Sequence, residues 1–120
     1  MKLDCFDEVK RLTSEMVAIP SVNKEPGGET EVAKYVENYF RALPYFKEHP
    51  EQVIRYQTKD DFVERHSTLA YVKGTKGGSN RTVILIGHID TVGVEDFGTI
   101  KEYAFRAEEL PEKQIGRAHV

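Results

Sequence analysis

The chain has 120 residues, which is enough for one domain around a single hydrophobic core but not for two. Hydrophobic residues make up 39% and charged residues 31% of the sequence, a balance that excludes a disordered tail and a membrane-embedded protein. The net charge of −3 and the interspersed basic residues argue against nucleic acid as a partner. No apolar run approaches the roughly 20 residues that cross a bilayer, and acids interrupt the region where a signal peptide is apolar. The sequence therefore predicts a folded, cytoplasmic protein without a membrane partner.

The first third of the chain predicts a helix, a loop and a second helix. Residues 4–18 carry an apolar stripe with steps of four and three, Asp4 is the expected N-cap, and Pro20 ends the helix. A second stripe predicts a helix over residues 29–43. The glycines of GGET predict a helix-entry turn, because the lysine of a phosphate-binding loop is missing. The two stripes consist of Cys5, Val9, Leu12 and Met16, and of Val32, Val36, Tyr39, Phe40 and Leu43.

The second half of the chain predicts the strands of a sheet. Residues 53–57 alternate and predict an edge strand, and residues 59–65 predict a solvated connection. Residues 67–74 and 81–88 predict two further strands joined by a hairpin through residues 75–80. The last run is continuously aliphatic at its centre, which is typical of a strand covered on both faces. The predicted fold class is therefore an α/β layer fold.

His88 and Asp90 follow this aliphatic run directly. In α/β sheets, ligands bind beyond the carboxyl ends of the strands, where side chains can converge. Residues i and i+2 of an extended segment point the same way, so the carboxylate can lie beside the imidazole. One ring nitrogen can then bind a metal ion while the other donates its proton to the carboxylate. By spacing alone, His-x-Asp more often marks a hydrogen-bonded structural histidine, because a metal site needs three or four ligands.

The segment GHIDTV, residues 87–92, resembles the metal-binding motif of the aminoacylase and carboxypeptidase-type di-zinc hydrolases, which include desuccinylases and dipeptidases. The upstream segments IPSVN, GGETEVAKYVENYF and a strand ending in KG agree with this family in order and spacing. Within the family, the sequence looks most like the RocB-type arginine-utilisation proteins. The resemblance covers most of residues 5–113 and is sharpest in the GHIDTV segment.

The resemblance implies that residues 1–113 are the N-terminal part of a three-layer α/β/α catalytic domain. It implies that His88 is a ligand of one of two metal ions, usually zinc, and that Asp90 is the catalytic-site acid that holds the imidazole. A bridging carboxylate, a glutamate general base, further acidic ligands and a late histidine are expected beyond this chain. The implied substrate is a peptide or an N-acyl amino acid, and the implied assembly is a homodimer formed through a second domain. We expect the fragment alone to be inactive.

The remaining candidates have simpler interpretations. Cys5 is the single cysteine, which excludes an internal disulfide, and its apolar stripe predicts a packed thiol. His49 and His66 are predicted to be surface or strand-edge residues, and Glu95 and Asp96 to lie in a solvent-facing turn.

Residues 114–120 show no periodic pattern. The string ATC GGA AGA GCA CAC GTC encodes Ile115 to Val120 and resembles a common sequencing-adapter sequence. We therefore expect a non-native tail in which His119 has no function.

Two other functional classes fit parts of the pattern. An α/β-hydrolase can begin with a strand followed by an oxyanion-hole loop, but the order here is Gly87-His88 and no G-x-S-x-G occurs. That class would need a serine nucleophile outside this chain. A non-enzymatic α/β binding domain could carry His-x-Asp without any catalytic role.

Overall fold

The computed structural model describes residues 5–117, which contain helices, one β-hairpin and irregular segments. The α-helices are α1 (Phe6–Val17), α2 (Gly28–Ala42), α3 (Pro44–Glu48) and α4 (Leu110–Arg117). The strands are β1 (Val53–Gln57) and β2 (His66–Ala70), and the 3-10 helical segments are Pro50–Gln52 and Glu95–Tyr103. This combination of helices with a sheet confirms the predicted α/β class.

The core lies between α2 and one face of the hairpin. β1 has the predicted bounds and pairs antiparallel with β2, with Gln57 opposite His66. Because side chains alternate between the two faces of a strand, His66 and Thr68 share the face towards α2. There the hydroxyl of Thr68 donates to the carbonyl oxygen of Ala33 at 2.6 Å. Val32 and Ala33 are buried in this layer, so the N-terminal half of α2 supplies the centre of the core.

A proline divides α2 from α3. Leu43 precedes Pro44 and takes an extended conformation, with φ −70° and ψ 142°, because the proline ring disfavours the helical region for its predecessor. α3 then places the buried ring of Phe46 edge to face on Phe40, with the ring centroids 5.5 Å apart. This contact closes one end of the core.

The apolar run of residues 81–88 is not a strand, and the prediction of a buried central strand is wrong here. Leu85 and Ile86 are 92% and 91% exposed, and no described residue forms a ladder with the run. The predicted hairpin through residues 75–80 is also wrong, because the hairpin forms between β1 and β2 across residues 58–65. A strand needs neighbours that satisfy its backbone groups and cover its side chains, and residues 5–117 provide none for this run.

The two ends of the described chain differ from expectation. α1 begins at Phe6, so Cys5 occupies the N-cap position, and Asp4 lies outside the described residues. Cys5 is exposed and not packed, because α1 buries none of its side chains. Residues 114–117 continue α4 although their sequence lacks a periodic pattern, and residues 118–120 lie outside the described part.

The described chain is more open than a closed domain. Its radius of gyration is 18.0 Å, whereas a compact domain of this length has about 14 Å. The face of the hairpin away from α2 is uncovered, with Ile54 and Leu69 both 55% exposed. Within residues 5–117, every helix is too short or too polar to span a bilayer.

Glu37 joins α2 to the hairpin through two arginines. Its carboxylate accepts hydrogen bonds from Nε of Arg55 at 2.8 Å and from Nε of Arg41 at 3.0 Å. The guanidinium of Arg55, with help from that of Arg41, holds the pKa of Glu37 below 4.5.

Replacing Glu37 by glutamine is expected to reduce the free energy of unfolding by about 1 kcal/mol at neutral pH. Because the folded pKa lies below the unfolded value, the carboxylate stabilises the fold fully above the unfolded pKa of 4.5. That contribution is lost as the pH falls through the folded pKa, so the difference between wild type and variant should be full at neutral pH and smaller at an acidic pH below 4.5. Urea denaturation at both pH values measures this difference in the free energy of unfolding. Glu31→Gln, on the exposed side of α2, is the control. A difference that does not change with pH would contradict the pairing.

Candidate functional site

The structure brings the two predicted site residues, His88 and Asp90, into contact. Nδ1 of His88 lies 2.9 Å from the carbonyl oxygen of Asp90 and 3.2 Å from Oδ1 of its side chain. Both partners are acceptors, so in the neutral ring Nδ1 carries the proton and Nε2 keeps the lone pair. The His88 side chain is 87% exposed. The arrangement therefore presents a ring nitrogen that can accept a metal ion from solvent.

Asn23 holds the second oxygen of the Asp90 carboxylate. Nδ2 of Asn23 donates to Oδ2 of Asp90 at 3.0 Å. On its other side, Oδ1 of Asn23 accepts a hydrogen bond from Nη2 of Arg65 at 3.1 Å. The carboxylate is thus bound on one side by the imidazole and on the other by the amide.

A short parallel bridge connects the loop after α1 to the His88 segment. The backbone N–H of Asn23 donates to the carbonyl oxygen of Thr91 at 2.8 Å. The backbone N–H of Thr91 donates to the carbonyl oxygen of Ser21 at 2.9 Å. Ser21 is 2% exposed, so this end of the loop is packed into the core. The bridge fixes the position of Asn23 relative to the motif.

Arg65 lies between two carboxylates behind Asn23. Its Nε donates to Glu29 at 2.9 Å, and its Nη1 donates to Asp61 at 2.5 Å. The Glu29 and Asp61 side chains are only 8% and 13% exposed. The guanidinium lowers the pKa of Asp61, and the Asp61 carboxylate in turn raises the pKa of Arg65. The hydrogen bonds to these two acidic side chains therefore fix the orientation of the arginine.

His66 is buried at the start of β2, so its predicted surface position is wrong. It is 8% exposed, and its Nδ1 lies 2.9 Å from the hydroxyl of Thr30 on α2. A hydroxyl can donate to or accept from an imidazole nitrogen, so this pair satisfies both groups inside the core. β2 begins at His66, one residue before the predicted strand of residues 67–74, and it ends earlier, at Ala70; its cover by α2 was not predicted.

A cleft of about 210 Å³ lies between the His88 segment, the start of β2 and the start of α2. Its lining includes Glu29, Arg65, His66, His88 and Asp90. The cleft is therefore lined by two imidazoles, two carboxylates and a guanidinium, although the chain places them in three separate segments.

A second cavity, of about 290 Å³, lies beside α4. Among the described residues of its lining, which are Asp96, Phe97, Ile100 and Gln114, Asp96 is the one that is ionisable. Glu95 and Asp96 are exposed, as predicted, within a 3-10 helical segment. This cavity offers no constellation for catalysis, so the cleft at His88 is the candidate site.

The donor set at His88 fits one ligand position of a zinc centre but not a whole centre. His88 and its acidic neighbour match the pairing of a metal-binding imidazole with an orienting carboxylate. A zinc site needs three or four ligands, and residues 5–117 contain no group of three or more His, Cys, Asp or Glu side chains arranged to hold a metal ion. The other ligands would have to come from elsewhere.

Sequence reasoning missed Asn23 and Arg65. Asn23 stands at the end of IPSVN, a segment that indicated a family resemblance but no role for the amide. Arg65 belonged to a predicted solvated connection. The sequence carries no local signal for either contact, because Asn23 is separated from Asp90 by 67 residues and from Arg65 by 42.

Relatives from Bacillus subtilis (strain 168) match most of this chain. Protein RocB is 39% identical over 106 residues, which is 88% of this chain and 18% of RocB. The uncharacterized protein YqjN is 33% identical over 104 residues, which is 87% of this chain and 18% of YqjN. The chain thus spans about a fifth of the length of these relatives. No family model matches the chain, and no solved structure matches it.

Proposed function

We propose that this chain is the N-terminal part of a metal-dependent hydrolase that cleaves an amide bond in a peptide or an N-acyl amino acid. The observation that carries the proposal is the imidazole of His88, held at Nδ1 by Asp90 with Nε2 left for a metal ion. The similarity to RocB across 88% of the chain supports the resemblance on which the hydrolase class rests. We call the complete polypeptide the full-length hydrolase and propose that it is cytoplasmic, acts in arginine utilisation and forms a homodimer.

In this proposal the described residues bind a metal ion and orient its ligand. They do not carry the proton from the attacking water to the leaving amine. His88 offers Nε2 as one ligand, and Asp90 fixes its tautomer and makes the ring a stronger donor to the metal. Two zinc ions would supply a Lewis acid for the amide carbonyl and a water of lowered pKa. The general base and the remaining ligands are proposed to come from the rest of the full-length hydrolase.

The two rival classes are distinguished by the sequence that follows. The metal-hydrolase proposal expects an aspartate followed closely by lysine and glycine, and then a pair of glutamates. An α/β-hydrolase would instead show G-x-S-x-G. A non-enzymatic binding domain would show neither pattern.

Hydrolysis assays on the full-length hydrolase test the proposed function. With a panel of N-acyl amino acids and dipeptides that includes arginine derivatives, we expect turnover that a chelator abolishes and zinc restores. The 120-residue chain is the matched control: it should be inactive and should take up zinc only very weakly in calorimetry, since it supplies one ligand.

Two results would overturn this proposal. One is a zinc-replete full-length protein that hydrolyses no member of the panel. The other is tight, stoichiometric zinc binding by the 120-residue chain that disappears in His88→Ala, because the described residues would then hold a complete site.

A further inference from the structure

We infer that Asn23 and Arg65 are positioning residues that aim the Asp90 carboxylate at His88. This inference rests on the proposed function, because it treats the Asp90 and His88 pair as part of a metal site. The contacts that carry it form a continuous chain from the buried acid Glu29 to the exposed imidazole. Neither residue lies near the motif in the sequence.

The hydrogen bonds of Asn23 fix which way its amide points. Its nitrogen faces the acceptor Oδ2 of Asp90, and its oxygen faces the donor Nη2 of Arg65. A flipped amide would set oxygen against carboxylate and nitrogen against guanidinium, and both contacts would be repulsive. The amide therefore always presents a donor to the carboxylate.

Arg65 cannot easily turn away from Asn23. Its guanidinium is planar, and two of its nitrogens are already bound by Glu29 and Asp61. The third nitrogen is thereby aimed at the Asn23 carbonyl. Two acidic side chains pair with the guanidinium of Arg65. Between Arg65 and Asp90 lies the neutral amide of Asn23, which fixes the orientation of the Asp90 carboxylate.

Asn23 is also fixed through its backbone. Its N–H donates to the carbonyl oxygen of Thr91, the residue that follows Asp90. The amide side chain and the carboxylate are thus carried by two segments already joined in a bridge. Little freedom remains for the Asp90 side chain to rotate away from the imidazole, whose Nδ1 lies 3.2 Å from Oδ1.

The test measures zinc affinity of the full-length hydrolase by competition with a chelator. Asn23→Ala should lower the affinity by up to about 10-fold, the lower end of the range seen when the direct partner of a metal ligand is removed, because Asn23 acts through Asp90. Asn23→Gln keeps both amide functions on a longer stem and should recover part of the loss. Asn80→Ala, in an exposed loop, is the matched control and should bind zinc like the wild type.

Two further readouts separate positioning from a purely structural role. The thermal midpoint of the metal-free Asn23→Ala protein should stay close to that of Asn80→Ala. The visible absorption of the cobalt-substituted protein should change in Asn23→Ala and return towards wild type in Asn23→Gln, because it reports the ligand geometry.

Each outcome decides a different claim. A wild-type protein that binds no zinc would refute the proposed function. Wild-type binding together with unchanged affinity and cobalt absorption in Asn23→Ala would refute the positioning role alone. A lowered thermal midpoint without a loss of zinc affinity would likewise show that Asn23 only stabilises the loop.

Discussion

Replacing Gly28 by alanine is expected to lower the free energy of unfolding by about 3 kcal/mol, the upper end of the usual cost of overpacking. The added Cβ would lie 2.2 Å from the carbonyl oxygen of Pro20 and 2.9 Å from Cα of Ser21. These are backbone atoms, so no side-chain rotation can relieve the clash. Since Ser21 also accepts the hydrogen bond from Thr91, the displacement would reach the His88 segment.

Urea denaturation of the 120-residue chain measures this effect, with Gly74→Ala as the control. A Cβ at Gly74 meets nothing within 4 Å, so that substitution should change stability by at most about 0.5 kcal/mol. Circular dichroism should show helix lost at lower urea in Gly28→Ala. Similar midpoints for the two variants would mean that the loop does not pack against α2 as described.

Local patterns predicted α1, α2 and one strand well, but they did not predict α3 or α4. The stripe that predicted a helix over residues 29–43 corresponds to α2, which runs from Gly28 to Ala42. The limits follow from glycine before the helix and proline after it, which act within a few residues. The alternating segment 53–57 became β1 with the same bounds.

The apolar run at 81–88 shows what a pattern cannot determine. Four consecutive aliphatic residues indicate that a segment has apolar surface to bury, but they do not provide the surface that buries it. In residues 5–117, no helix layer or neighbouring strand covers Val83 to Ile86, and all four side chains are at least 75% exposed. The prediction of a buried strand therefore required a larger sheet than the two-stranded one that the described residues form.

Only the local part of the candidate site, the pair of His88 and Asp90, was predictable from the sequence. His88 and Asp90 are two residues apart, and this spacing predicted that the carboxylate could lie beside the imidazole. The support behind them depends on the fold, because α2, the β1–β2 loop and the loop after α1 bring Glu29, Arg65 and Asn23 together. No spacing rule relates three segments separated by variable loops.

Replacing His88 by alanine in the full-length hydrolase is expected to have the largest effect on activity. In the proposed metal site this change removes one ligand outright, so catalysis should fall by more than about 100-fold and zinc content should drop. Asp90→Asn retains the ligand but weakens its orienting partner, and should cost about 10-fold to 100-fold with zinc content close to wild type. His49→Ala, at the C-cap of α3, is the control and should retain both zinc and activity.

Anomalous diffraction from crystals of the zinc-loaded full-length hydrolase shows whether Nε2 of His88 binds zinc. We expect a zinc ion about 2.0–2.1 Å from Nε2 of His88, while Nδ1 of the same ring donates to Asp90. A ring packed among side chains, with every zinc peak bound by other residues, would contradict it.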